Sequence, residues 1–262
     1  MIRPKKSLGQ HFLKDLGIAQ RIADTLSAYL GLPVLEVGSG TSVLTRFLLN
    51  ERHNLAVVEI DRTSAKYVEQ KYPQLIGCIY VEDFLQMKLE HHYQGPFCII
   101  GNFPYYISSQ IFFKVLDYRN QVICCAGMIQ KEVAERLAAP PGSRSFGILS
   151  ALIQPWYNVE YLFTVSEEVF NPPPKVKSAV VRLTRNNRSV LGCDESLYKK
   201  CVKTSFNQRR KTLRNSMKPI LGKDCPYFEL PIFDKRPEQL SIDQFIELTL
   251  ITNQYLKEKD YD

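Results

Sequence analysis

Short apolar runs alternate with helical patterns along most of the chain. The runs are Val34 to Val37, Leu55 to Ile60, Leu75 to Val81, Phe97 to Ile100, Val122 to Ile129, Trp156 to Phe163 and Ser178 to Thr184. Nearly continuous apolar strands separated by helices predict a mostly parallel, seven-stranded α/β sheet with helices on both faces. The last two runs have no long helical pattern between them, which predicts a hairpin at that edge. From Asn186 to Ser196 the chain turns polar ("NNRSVLGCDES"). Beyond it the apolar spacing is helical, through Leu197, Cys201, Phe206 and Leu213, and again through Phe245, Leu248, Ile251 and Leu256. This predicts two domains, residues 1–186 and a small all-helical domain of residues 187–262. "QKEVAERL", residues 130–137, reads as a further helix with a Glu132–Arg136 pair at i, i+4.

Composition changes this picture little, because 262 residues with 45% hydrophobic and 23% charged are ordinary for a globular chain. No apolar stretch approaches the roughly 20 residues of a membrane span, and Met1 to Lys6 does not lead into a signal-peptide core. A cytoplasmic protein is expected. The seven cysteines form no C-x-x-C pair, so they read as reduced core residues with no metal site. Charge is more informative. Between Lys175 and Lys218 there are 13 Lys and Arg against Asp194 and Glu195, while the rest of the chain is net acidic. A basic stripe of this kind attracts phosphate backbones.

Three strand ends carry candidate chemistry. "VLEVGSGTSVLTRFLL", residues 34–49, is a strand, a glycine turn and a helix; Gly38 and Gly40 permit positive φ and a close ligand approach. The third glycine of a dinucleotide fingerprint is absent, with Val43 in its place. Glu59 ends the next strand in "AVVEID", 19 residues after Gly40, where a carboxylate can accept both ribose hydroxyls. Asp83 follows the third strand in "YVEDFL" and could accept from the amino group of an adenine. The three together suggest bound adenosine, of NAD or of S-adenosylmethionine.

"GNFPYYISS", residues 101–109, favours the methyl donor. The exocyclic amine of adenine is a poor nucleophile because its lone pair is delocalised into the ring. The Asn102 side chain and a turn carbonyl can accept its two hydrogens and localise that pair. Pro104 fixes the corner, and Tyr105 offers a stacking face worth about 1–3 kcal/mol. Catalysis is then mainly alignment. Packing alone would account for Phe103 and Tyr106 but not for Asn102.

These segments, with "KKSLGQHFL" (5–13), "MIQKEVAERL" (128–137), "VFNPPPKVKSAVVRL" (169–183) and "FNQRRKTLRN" (206–215), resemble in order the ribosomal RNA small-subunit adenine dimethyltransferase family (KsgA- and RsmA-like). The resemblance implies a Rossmann-like class I methyltransferase that uses S-adenosyl-L-methionine. It would dimethylate two adjacent adenosines in the 3′-terminal hairpin loop of small-subunit (16S) rRNA, acting as a monomer on the nascent 30S subunit during ribosome biogenesis. It places His11 and Leu13 at the methionine end of the cofactor, with Gly38, Gly40, Glu59, Asp83 and Asn102 around the rest. Tyr105 and Phe170 would sandwich the target adenine; without the resemblance, Phe170 reads as a core aromatic. Lys175, Lys199, Lys200, Lys203, Arg209, Arg210, Lys211 and Arg214 would grip RNA phosphates. In this family His11 is often Asn, so a partly main-chain role is expected of it; without the resemblance it reads as a surface histidine. The family usually has Pro at Ser39 and Gly at Ser42. A serine at 42 can cap the following helix and still leave its amide free, so cofactor binding with altered affinity is expected. The alternatives are a related resistance methyltransferase acting on large-subunit RNA and an assembly factor with weak catalysis.

Overall fold

In a computed structural model, residues 2, 4–5, 8–50 and 54–259 are described; Lys6 and Ser7 of the "KKSLGQHFL" motif lie outside them. The strands are β1 (Phe12–Leu13), β2 (Pro33–Val37), β3 (Asn54–Val58), β4 (Ile79–Tyr80), β5 (Phe97–Asn102), β6 (Val122–Gln130), β7 (Tyr157–Val165), β8 (Phe170–Asn171) and β9 (Ser178–Arg185). The helices are α1 (Leu16–Ala23), α2 (Val43–Asn50), α3 (Arg62–Lys71), α4 (Ser108–Asp117), α5 (Lys131–Ala138), α6 (Ile148–Ile153), α7 (Glu195–Asn207), α8 (Leu213–Ser216), α9 (Lys218–Leu221) and α10 (Ile242–Lys259).

Seven strands form one sheet in the order β4-β3-β2-β5-β6-β9-β7, with β2 to β6 parallel and β9 antiparallel between β6 and β7. The expected edge hairpin is the β7–β9 pair. The Leu75 to Val81 run is mostly a turn: Pro73–Leu75 is a single 3-10 turn and only Ile79–Tyr80 pairs with β3. An edge position needs few ladder bonds, and that suffices to carry the chain to Asp83.

The apolar runs are continuous because alternate residues face covered sides. Val34, Leu55, Val57, Cys98, Ile100 and Cys124 pack with Ile22 of α1, Leu48 of α2 and Val68 of α3 in one buried cluster. On the intervening positions, Tyr157 of β7 donates from its hydroxyl to the carbonyl of Val122 at 2.7 Å. Helix starts follow local rules: Asp15, Asp61 and Asp194 each accept a backbone amide of the following helix's first turn. All seven cysteines are free, and among the described residues no cluster suited to a metal ion occurs. No helix among them is long and apolar enough to cross a membrane.

The chain divides into two compact units, Met1–Ala134 with Tyr157–Arg185, and Glu135–Trp156 with Asn186–Asp262. The second boundary falls at the polar stretch, but residues 135–156 join the helical unit and not the sheet domain expected for residues 1–186. Side-chain contacts explain the difference. The Phe146 ring lies 6.3 Å from that of Phe206, which stacks on Phe245 at 5.9 Å. Tyr198 donates to the carbonyl of Ala151 at 2.9 Å, and Arg209 donates to the carbonyls of Arg144 and Phe146. The longest helix, α10, starts with a capping box: Ser241 and Gln244 exchange side-chain and main-chain bonds, both at 3.2 Å.

Candidate active site

The carboxyl ends of β2, β3, β4 and β5 converge on one cavity, and residues 8–13 close its side. Its lining includes Gly38, Gly40, Glu59, Asp83, Asn102 and Tyr105, with His11 and Leu13. Ligands bind at this edge of open α/β sheets.

The glycine turn is tight for a readable reason. Gly38 has φ +77° and its amide donates to the carbonyl of Val58 at 2.9 Å, which joins the turn to the neighbouring strand. Gly40 has φ +50°, and a β-carbon there would sit 3.0 Å from the Phe12 ring. Glu59 is almost fully buried. Its Oε2 accepts the Gly40 amide at 2.9 Å and the Ser39 hydroxyl at 3.3 Å, and its Oε1 accepts the Asp61 amide at 2.9 Å. Burial raises its pKa, and those three donors pull the other way. Glu59 therefore braces the turn as well as lining the cavity, and Ser39 occupies acceptor capacity that a proline would leave open.

Ser42 departs from expectation. Its amide donates to the carbonyl of Ser39 at 2.7 Å and is not free, and its hydroxyl accepts from Lys71 Nζ at 3.2 Å and does not cap α2. Its φ is +60°, a region unfavourable to a side chain. The turn keeps the shape that a glycine would give it, and the Lys71 bond offsets part of that strain.

Asn102 ends β5. Its Nδ2 donates to the main-chain carbonyl of His11 at 3.2 Å, which directs Oδ1 away as the acceptor. His11 thus contributes its main chain, while its Nδ1 donates to the carbonyl of Pro172 at 2.8 Å and its ring stacks on Tyr105 at 5.6 Å. The Tyr105 hydroxyl bonds Ser178 Oγ, so the ring is fixed at both ends. Below the corner, Phe103 is buried between two glycines. A β-carbon on Gly127 would lie 2.4 Å from the Gly101 carbonyl and 2.6 Å from the Phe103 ring; one on Gly101 would lie 2.5 Å from the Val37 carbonyl.

Phe170 is a core residue. It is 1% exposed, pairs with Leu13 across β1 and β8, and belongs to the buried cluster beneath the sheet. Its ring is packed into that cluster and is not among the residues that line the cavity beside Tyr105. Tyr106, read from sequence as packing, is instead 57% exposed at the cavity. Two further residues that shape the site went unread. Gly127 sits in an ordinary-looking strand, and only the β5–β6 register reveals its role. Glu36, 1% exposed, has a carboxylate oxygen without a hydrogen-bond partner among the described residues, and burial pushes its pKa up to about 7. Its place in "EVGSG" was the available signal.

The cations of the basic stripe differ among themselves. Lys175 in the first unit is exposed, as are Lys199, Lys200, Lys203, Arg210 and Lys211 in the second. Arg209 is committed to the carbonyls of Arg144 and Phe146, and Arg214 pairs with Asp234 at 2.6 Å. Within the second unit, Lys211, Lys218 and Lys223 line one shallow depression with Gln208 and Asn215.

The strand order, with its antiparallel strand inserted next to the edge, and the cavity at the strand ends define a class I methyltransferase. A family model described as Ribosomal RNA adenine dimethylase matches residues 1–251. The protein named Ribosomal RNA small subunit methyltransferase A from Parabacteroides distasonis is 66% identical over 262 residues, covering 100% of this chain and 98% of that one. Its namesake from Bacteroides fragilis is 61% identical, covering 98% and 95%. A dimethyladenosine transferase from Plasmodium falciparum superposes with a TM-score of 0.79 at 26% identity, covering 94% of this chain and 98% of that one. The 23S rRNA methyltransferase ErmE gives 0.66 at 26%, covering 90% and 98%. The chain belongs to the ribosomal RNA adenine dimethylase family, and it is an S-adenosylmethionine-dependent methyltransferase.

Proposed function

We propose that this enzyme dimethylates the exocyclic amines of two adjacent adenosines in the 3′-terminal hairpin loop of small-subunit rRNA, on the nascent 30S subunit in the cytoplasm. The observation that carries the reading is Asn102: its amide nitrogen is committed to the His11 carbonyl at 3.2 Å, so Oδ1 is the atom left to accept from an amine.

The residues present suit the donor. Gly38 and Gly40 place no side chain at their own positions in the turn, Glu59 offers carboxylate oxygens for a ribose, and Asp83 uses one oxygen on the Leu85 amide at 2.9 Å. His11 and Leu13 border the end of the cavity assigned to the methionine portion. When bound, the donor supplies an electrophilic methyl group on a positively charged sulfur. Asn102 Oδ1 and a carbonyl of the 102–105 corner accept the two amine hydrogens, which localises the nitrogen lone pair for in-line attack; as the N–C bond forms and the methyl–sulfur bond breaks one proton is released to solvent, and the single remaining hydrogen is held by one of these acceptors for the second transfer. No nucleophilic side chain is required, and the contribution of the protein is preorganised geometry. Pro104 and the Tyr105–Ser178 bond hold the corner; Tyr105 and the exposed Tyr106 offer aromatic surface to an unstacked base.

Lys175, Lys199, Lys200, Lys203, Arg210 and Lys211 contact phosphates and position the loop without reading its sequence. Two cations expected there have other work: Arg209 anchors a loop and Arg214 is paired. Large-subunit RNA is the rival substrate, but relatives at 66% and 61% identity carry the small-subunit name, and at the same 26% identity the dimethyladenosine transferase superposes better than the 23S enzyme, with TM-scores of 0.79 and 0.66. Incubating the protein with undermethylated small subunits and labelled donor, then mapping the label, tests the proposal. Label on large-subunit RNA, or no label, would overturn it.

A further inference from the structure

One cation of the first unit is directed at main-chain carbonyls. Lys114 lies in the last turn of α4, and its Nζ donates to the carbonyl of Leu85 at 3.1 Å and to that of Met87. The rings of Phe84 and Tyr118 flank the ammonium at 5.4 and 5.6 Å, and Glu90, Asp83, Asp117 and Glu82 surround it at longer range. The segment it grips is the one that carries Asp83. Asp83 Oδ1 accepts the Leu85 amide at 2.9 Å, and the Asp83 carbonyl accepts the amides of Gln86 at 2.9 Å and Met87 at 3.0 Å. The amides of residues 85–87 thus turn back on Asp83, while two of the outward carbonyls meet Lys114. The helix that supplies Lys114 begins at Ser108, whose hydroxyl donates to the Tyr105 carbonyl at 3.1 Å. One rigid helix is therefore bonded to the methyl-transfer corner at its start and to the Asp83 turn near its end.

We propose that Lys114 is a positioning residue that holds Asp83 in register with the Asn102 corner and so sets the preference of the donor pocket for adenine over other bases. This rests on the reading of Asp83 as the acceptor for the adenine amino group. Lys114 touches neither substrate nor reacting atoms. It fixes a turn whose two carbonyls would otherwise need solvent and a new geometry, and preorganisation of this kind shows in affinity and selectivity. The sequence holds no signal for it, since an amphipathic helix ordinarily carries a lysine near its carboxyl end.

The test compares S-adenosylhomocysteine with S-inosylhomocysteine, in which oxygen replaces the exocyclic amine. Both are titrated calorimetrically into wild type, Lys114→Met, Lys114→Arg and Asp83→Ala, with thermal unfolding recorded for each. Loss of one well-placed hydrogen bond corresponds to about a tenfold change. Wild type is expected to prefer the adenine ligand, Asp83→Ala to lose the preference, Lys114→Met to lose most of it, and Lys114→Arg to restore it. If Asp83→Ala removes the preference while Lys114→Met retains it, the role of Lys114 is wrong and that of Asp83 stands. If Asp83→Ala also retains it, both fail. Equal weakening of both ligands by Lys114→Met would show only a structural lysine. Should Lys114→Met not fold, Lys114→Gln, which keeps an uncharged amide donor group, carries the same expectation at smaller size.

Discussion

Asn102 does two jobs with one amide. Its nitrogen ties the 102–105 corner to the segment at His11, and its oxygen is left for the substrate. Replacement by alanine removes both, but only the second belongs to the chemical step. We expect Asn102→Ala to lower kcat by about 10²–10³, the usual loss for one preorganised hydrogen-bonding group, with donor affinity changed only a few-fold. Single-turnover transfer measured beside donor titration checks this; equal losses in both would remove the role. Glu36 illustrates the cost of a buried carboxyl. Burial raises its pKa from 4.5 to about 7, so within that window the folded protein holds a proton that the unfolded chain has released. Its contribution to stability is therefore fully present below about pH 4.5 and is lost as pH rises through about 7. The span corresponds to roughly 3 kcal/mol. Glu36→Gln should flatten that decline and raise stability at pH 8, as denaturant unfolding at several pH values will show. A slope unchanged from wild type would mean that another group titrates.

At the scale of elements, the corner depends on β6, a strand none of whose residues lines the cavity. Parallel pairing sets Gly101 opposite Gly127, and the missing β-carbons leave room for the Phe103 ring, which meets Phe112 of α4 edge-on at 6.0 Å. Gly127→Ala would place a methyl group 2.4 Å from a carbonyl and 2.6 Å from that ring. We expect a stability loss of about 1–3 kcal/mol from overpacking, together with slower methyl transfer because the ring and Asn102 move as one piece. Chemical denaturation and a transfer assay on the same sample test both; an unaffected rate would uncouple the ring from Asn102. Most element types were readable because their periods differ, as in the amphipathic α7 and the buried β5. The third strand run was not, since Leu75 to Val81 is apolar through a turn, and composition alone does not separate a buried turn from a strand.

At the scale of the molecule, each unit has its own core, and the second carries its exposed lysines and arginines on a helical scaffold held by Tyr198, Phe206 and Phe245. Among them Lys211 and Lys218 share a depression, while Arg209 is bonded to loop carbonyls. Charge reversal at Lys211 and Lys218 should weaken RNA binding and reduce the slope of log affinity against log salt by about one per lost phosphate contact. Arg209→Ala should mainly lower thermal stability. Filter binding across a salt series separates these, and an unchanged slope for the lysine pair would exclude that depression from the interface. Sequence alone determined the sheet class, the strand ends that carry Gly38, Glu59, Asp83 and Asn102, and the basic stripe, because periodicity, turn chemistry and charge are local properties of a chain. Only the tertiary structure decided that Phe170 is core, that Tyr106 is exposed, that Gly127 and Lys114 support the site, and that residues 135–156 belong with the helices. Those outcomes depend on which distant residues come into contact, and strand register and side-chain burial are settled only when the whole sheet has formed.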